Sequence, residues 1–322
     1  MVERKSRTNE LVDSSPVRIL YIGGTGRTGS TLLANILGQY DTFFSGGELA
    51  FLWRFGLMDN GRCACGLELR QCPTWVAIFD QAFGGVNNVD ASEMVRLRKR
   101  FNSHHLPLMV TKGIRKRLLD RTGDLPLRLA QLYSGIRSST GRPIIVDSSK
   151  EPHYSYILRS QPSLEVYFLH LVRDPRAVAY SWRRRKVEAG FNDGRFMATR
   201  RPSVSSTYFD VSNIASELIW ARHTQRYMRM RYEDFISAPA EMLRRIGEFV
   251  EVDIDPSQAI DDGFANLSGT HSAWGNPNRF LHGQIGLAPE DEWKFRMPQS
   301  QRAVVTAMTL PLILQYAYPV RS

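Results

Sequence analysis

The chain has 322 residues, 43% of them hydrophobic, and a formal net charge of +10, which is apolar material for one large domain and too little for two of that size. The positive excess favours anionic ligands such as a polyanionic nucleotide, and with no recognisable nucleic-acid module in the chain it predicts no specific nucleic-acid binding. Three cysteines, Cys63, Cys65 and Cys72, argue against a disulfide framework, and with no fourth partner nearby in sequence they predict no metal site.

In chain order, residues 1–16 are polar and charged with no apolar run behind them, so a flexible tail, no signal peptide and a cytoplasmic location are expected. Arg18 to Gly23 (RILYIG) is a short apolar run ending in glycines, and Ser30 to Gln39 sets Leu32, Leu33, Ile36 and Leu37 at helical spacing. This predicts a strand, a glycine-rich turn and a helix. Residues 49–137 are less regular, with helical patches, and predict an excursion over the sheet. Pro143 to Val146 leads into Asp147, and Glu165 to Val172 leads into Arg173 and Asp174; β-rich runs ending in polar residues are what buried parallel strands look like. Pro175 then opens a helix through Arg185, with Asp174 as its N-cap. Tyr227 to Tyr232 predicts a strand and Pro239 to Val250 a helix. Ala303 to Val320 is uncharged but contains Pro311, Gln315 and Pro319, so it reads as a core helix and tail, not a membrane span. Strands alternating with helices over residues 17–322 predict a three-layer α/β fold that binds ligands at the carboxyl ends of its strands.

The first strand-to-helix junction reads Gly24-Thr25-Gly26-Arg27-Thr28-Gly29-Ser30-Thr31, where backbone N–H groups and the helix dipole converge on an anion. Gly24, Gly26 and Gly29 also spell G-x-G-x-x-G, so an NAD(P)-binding reductase or a non-enzymatic nucleotide-binding module is an alternative. No tyrosine is followed by lysine four residues on, a pair that such reductases usually carry. The Walker pattern requires lysine after the last glycine, whereas Ser30 stands there and the cation, Arg27, lies inside the loop. A polyanion-binding structural protein using the basic clusters alone is a third reading.

Further on, Arg173-Asp174-Pro175-Arg176 precedes Ser181 by two helical turns, so Arg173 and Ser181 reach toward one phosphate. Together with the glycine loop, this resembles the two nucleotide-binding elements of the sulfotransferases that use 3′-phosphoadenosine 5′-phosphosulfate (PAPS). Gly46-Gly47-Glu48-Leu49, Asp147-Ser148-Ser149-Lys150, Arg231-Tyr232-Glu233-Asp234, and His271 with Gly275 to Phe280 and Trp293 are similar to further motifs of the bacterial and carbohydrate-type branch, related to the protein-tyrosine sulfotransferases. The Cys63-Ala64-Cys65-Gly66 segment with Cys72-Pro73 and Trp75 resembles the same branch. The catalytic His segment and late R-K-G motif of the aryl-type members have no counterpart.

The resemblance implies a P-loop-like three-layer fold with a central parallel sheet flanked by helices, and metal-independent transfer of a sulfuryl group to a hydroxyl of a small-molecule, carbohydrate or lipid-like acceptor. It implies that Gly26, Arg27, Thr28, Gly29, Ser30 and Thr31 hold the 5′-phosphosulfate, and that Arg173 and Ser181 hold the 3′-phosphate, with Tyr232 and Arg279 as further nucleotide contacts. It makes Glu48 the general base, with Arg27, Lys150 and His271 as further catalytic candidates. His170, alternating within its strand, reads as core.

Overall fold

The computed structural model describes residues 15–320; most of the expected N-terminal tail, residues 1–14, lies outside them. Five strands form one parallel sheet in the order β2-β3-β1-β4-β5: β1 (Val17–Gly24), β2 (Phe43–Gly47), β3 (Ile144–Lys150), β4 (Leu164–Val172) and β5 (Tyr227–Arg231). Nearly every residue of β1, β3 and β4 is buried, which explains why they read as unbroken apolar runs instead of alternating ones. β1 pairs with β4 without a break from Val17↔Leu164 to Gly24↔Leu171. Its pairing with β3 shifts between Tyr21 and Gly23, and that of β2 with β3 shifts between Ser45 and Gly47. Both irregularities fall toward the carboxyl end of the sheet.

Helix α1 (Ser30–Leu37) follows β1. Between β2 and β3 the chain is helical: short 3₁₀ and π-helical turns over Leu49–Phe51 and Leu52–Met58, then α2 (Pro73–Phe83), α3 (Ala91–Lys99), α4 (Lys112–Asp120) and α5 (Leu125–Thr140). α6 (Pro152–Arg159) joins β3 to β4, α7 (Pro175–Arg183) and α8 (Pro202–Trp220) precede β5, and α9 (Tyr232–Ser237) and α10 (Pro239–Phe249) follow it. A small antiparallel sheet, β6 (Ile260–Asp261), β7 (Phe264–Leu267) and β8 (Gly283–Gly286), precedes α11 (Glu292–Arg296) and α12 (Gln299–Gln315).

Apolar side chains from the two faces of the sheet enter two separate clusters. Ile19, Tyr21 and Phe168 face the side of α2, α5, α6 and α8, whereas Leu20, Ile22 and Leu169 face α1, α9 and α10. This is a helix–sheet–helix sandwich. Asp174 caps α7, accepting the Arg176 N–H at 2.9 Å, and its carboxylate also holds the Arg176 guanidinium. His170 is buried, with Nδ1 against the Tyr227 hydroxyl and Nε2 against Asn213 Oδ1, each at 2.8 Å. Among the described residues, no helix is long and apolar enough to cross a membrane.

Candidate active site

At the end of β1 the chain turns through Thr25 to Gly29 into α1. Gly29 is the N-cap at φ 86°, and no side chain caps the first turn, so its N–H groups are left for a ligand. Glycine is required there twice over: the backbone is left-handed, and a Cβ would lie 2.3 Å from the Tyr232 ring. Thr28 is buried and donates its hydroxyl to Thr25 O at 3.0 Å, bracing the loop from inside. Arg27, at φ 74°, lays its guanidinium 4.7 Å from the Trp182 ring centre. Its Nη1 is buried and has no partner among the described residues. Burial lowers the Arg27 pKa, opposed by Glu48 and Glu188. A desolvated cation with an unfilled donor beside an uncapped helix start fits a phosphate or sulfate group.

The end of β4 places Arg173 opposite. Its guanidinium sits 4.6 Å from the Tyr232 ring centre, donates to Arg27 O at 3.2 Å and reaches Glu290 Oε2 at 3.0 Å. Desolvation would raise the Glu290 pKa, but Arg173, Lys186 and Arg184 outweigh it and hold the carboxyl below its usual range. The Glu290 carboxylate is thus an anion held by Arg173 in the cavity that Ser181 also lines. Arg173 and Glu290 also form the wall shared with two adjoining cavities.

The third wall comes from the ends of β2 and β3. Gly47 has φ 75°, and a Cβ on it would meet Trp274 O at 2.5 Å. This close approach lets Glu48 N donate to Trp274 O at 2.8 Å and Ala273 N to Gly46 O at 2.9 Å. Lys150, at φ 68°, donates from Nζ to Glu48 Oε1 at 2.7 Å and to Ser148 O at 2.6 Å. The two side chains are only 14% (Glu48) and 10% (Lys150) exposed. Behind them Asp147 is fully buried and accepts from Ser149 N at 2.8 Å and from the Ser149 and Tyr133 hydroxyls. Burial pushes its pKa up to about 6 against those hydrogen bonds. Ser149 Oγ in turn accepts the Ala50 N–H at 2.9 Å, so one buried network braces both the end of β3 and the segment after Glu48.

These walls enclose a cavity of ≈ 1010 Å³, counting its open mouth, at the carboxyl ends of the strands. The fold brings Gly26, Arg27, Gly29, Ser30, Thr31, Glu48, Lys150, Arg173, Ser181 and Tyr232 to it. Thr28 and the other two expected site residues do not line it. Arg279 is buried behind it, donating to Gly275 O and Arg62 O and lying 3.9 Å from Glu188; burial lowers its pKa to about 10. There it supports the loop that packs on Glu48. His271 turns to the cysteines, its Nδ1 3.3 Å from Cys72 Sγ and 3.7 Å from Cys63 Sγ. The fourth partner missing near the cysteines in sequence is therefore supplied by the fold, from 199 residues beyond Cys72. Residues that sequence reading did not single out also line the cavity: Trp182, Lys186, Arg200, Tyr208 and Glu290. Trp182 and Lys186 follow directly from the Arg173–Ser181 helix; Arg200 and Glu290 come from irregular segments that carry no local signal.

A family model described as "Sulfotransferase family" matches residues 20–256, and the chain belongs to that family. It is similar to carbohydrate sulfotransferase 4 of Mus musculus, 32% identical over 114 residues, a match covering 31% of this chain and 29% of that protein. The match thus spans under a third of the curated relative's length. Two solved structures share the fold: the sulfotransferase domain from the Synechococcus PCC 7002 olefin synthase (19% identical, TM-score 0.56, 98% of this chain and 99% of that one) and the sulfotransferase domain from the curacin biosynthetic pathway (19% identical, TM-score 0.54, 94% and 98%). The five-stranded parallel sheet flanked by helices is the fold shared with those two sulfotransferase domains.

Proposed function

We propose that the protein transfers the sulfuryl group of PAPS to a hydroxyl of a small-molecule, carbohydrate or lipid-like acceptor, by in-line displacement with Glu48 as general base. The observation that carries this reading is one cavity holding both an unfilled anion cradle, Arg27 at the uncapped start of α1, and a buried carboxylate paired with an ammonium, Glu48 with Lys150. Arg27 and the first N–H groups of α1 would hold the 5′-phosphosulfate end. Arg173 and Ser181 would hold the 3′-phosphate in place of Glu290, the feature that separates this donor from an ordinary adenylate. PAPS supplies the activated sulfuryl group. Glu48 would accept the proton of the acceptor hydroxyl as its oxygen bonds to sulfur, and the electron pair of the broken S–O bond would leave with the phosphate. Arg27 and Lys150 would sit beside the charge that develops there. Such displacement through a loose transition state draws mainly on positioning and fixed cations, so turnover requires no magnesium.

Calorimetry with the desulfated nucleotide (PAP) and with NADPH tests the donor reading. Tight binding of PAP with none of NADPH is expected; the reverse outcome overturns it.

A further inference from the structure

Outside the cavity, Cys63, Cys65, Cys72 and His271 form a cluster in which one donor atom from each residue lies within 4.8 Å of all the others. Cys65 Sγ lies 3.7 Å from Cys72 Sγ, and His271 Nδ1 lies 3.7 Å from Cys63 Sγ and 3.3 Å from Cys72 Sγ. A tetrahedron with zinc–sulfur bonds of about 2.3 Å and a zinc–nitrogen bond of about 2.0 Å has edges of roughly 3.8 Å between sulfurs and roughly 3.5 Å from sulfur to nitrogen. The three separations lie close to those edges, and the remaining pairs are within 4.8 Å.

The surrounding chain is built to keep those four groups together. Gly66, at φ 91°, closes a tight turn in which Gly66 N donates to Cys63 O and Cys63 N to Leu67 O, each at 2.9 Å. Cys72 is the N-cap of the eleven-residue α2, with Pro73 at its first position, where the helix dipole favours a thiolate. The His271 segment is tied to the same loop twice, by Trp75 Nε1 donating to His271 O at 2.7 Å and Ala64 N to Ser272 O at 3.0 Å. Cys63 and Cys72 are buried, and Trp75 and Leu69 pack in the same apolar cluster.

We infer that Cys63, Cys65, Cys72 and His271 form a closed tetrahedral site for a structural zinc ion. Three thiolates and one imidazole are the soft, borderline donor set that suits zinc, and four protein ligands leave no open position for catalysis. Binding releases the thiol protons and leaves the site with a net charge of −1. The ion would join the loop before α2 to the segment around His271, and that segment continues directly into Ala273 and Trp274, whose backbone pairs with Gly46 and Glu48. Zinc would thereby clamp the support of the Glu48 loop without entering the cavity.

The test is elemental analysis of the tag-free full-length protein, with no activity readout, so its result is independent of the donor reading above. About one zinc per chain is expected, released when an organomercurial titrates the cysteine thiols and followed with a zinc-sensitive dye. Cys72→Ser and His271→Gln should lose the ion. In case those variants fail to fold, the wild-type chain exchanged with cobalt(II) should show the visible absorption of tetrahedral thiolate-bound cobalt. Substoichiometric zinc in protein supplied with it, no cobalt band, or a mass lower by two hydrogens from a Cys65–Cys72 disulfide would each overturn the assignment.

Discussion

Replacing Glu48 with Gln keeps the size and one acceptor oxygen of the side chain while removing its ability to take a proton. In the structure that oxygen receives Lys150 Nζ at 2.7 Å, and Lys150 also holds Ser148 O, so the amide oxygen still accepts from the ammonium and Lys150 keeps its second partner, but the opposite charge is lost. The pair is largely buried, and losing the counter-charge while keeping an ion–dipole bond there costs about 1–3 kcal/mol of stability. The chemical step should suffer far more, since losing a general base lowers kcat by about 10²- to 10⁴-fold, or roughly 2.7–5.4 kcal/mol at 1.36 kcal/mol per decade. PAP affinity should stay within a few-fold, because the residues proposed to hold the phosphates, Arg27, the start of α1 and Arg173, lie on the other walls of the cavity. The assay is single-turnover transfer from radiolabelled PAPS, with PAP binding measured on the same preparation. A kcat within a few-fold of wild type when chemistry limits turnover refutes Glu48 as the base. A parallel loss of PAP affinity would instead mean that the substitution disturbs the cavity.

The Arg173 wall yields a pair of opposite effects. Arg173→Ala should weaken PAP by about 10- to 100-fold, the worth of a charge-assisted bond, while hardly affecting adenosine 5′-phosphosulfate; equal losses would refute a 3′-phosphate role. Glu290→Gln removes the competing carboxylate and should tighten PAP several-fold in calorimetry, and weaker binding would show that Glu290 helps to hold the donor. Gly29→Ala must adopt φ 86° and push the Tyr232 ring away, costing about 1–2 kcal/mol from the left-handed backbone alone, so its urea midpoint and PAP affinity should both fall; an unchanged midpoint would contradict the close approach. Burial lowers the His170 pKa to about 4 from 6.5, so the unfolded chain binds the extra proton between those values and His170 destabilises the fold as pH falls through that window, by up to about 3 kcal/mol. Asp147, raised to about 6, acts in the opposite sense over much of the same range, which makes the His170 ring resonance the proper readout. A midpoint near 6.5 would contradict its burial. Finally, turnover should persist in magnesium-free buffer, and an obligatory magnesium requirement would argue against fixed cations as the main stabilisers.

Local pattern determined a large part of this protein. The apolar runs now seen as β1, β3 and β4, the glycine junction before α1 and the Asp174-Pro175 start of α7 were legible because each is specified by neighbours in sequence: strand burial, a left-handed glycine, a cap. The same holds for the uncapped start of α1, since loop and helix start are contiguous. β2 was not legible, because Phe43 to Gly47 is five residues ending in two glycines, too short to show a period, and its identity comes from pairing with β3. Only tertiary structure paired Lys150 with Glu48, 102 residues away, and set Glu290 on Arg173 from a segment without a local pattern. It also assigned the two residues whose side chains face away from the cavity. Arg279 carries a phosphate-binding type of side chain, yet backbone carbonyls and Glu188 absorb it. His271 has the right chemistry for a base, yet the close approach of Trp75 and Ala64 to its loop turns it to three cysteines some 200 residues earlier. Which of several chemically competent side chains reach one point depends on contacts between distant segments, and those exist only once the sheet has brought its strand ends together.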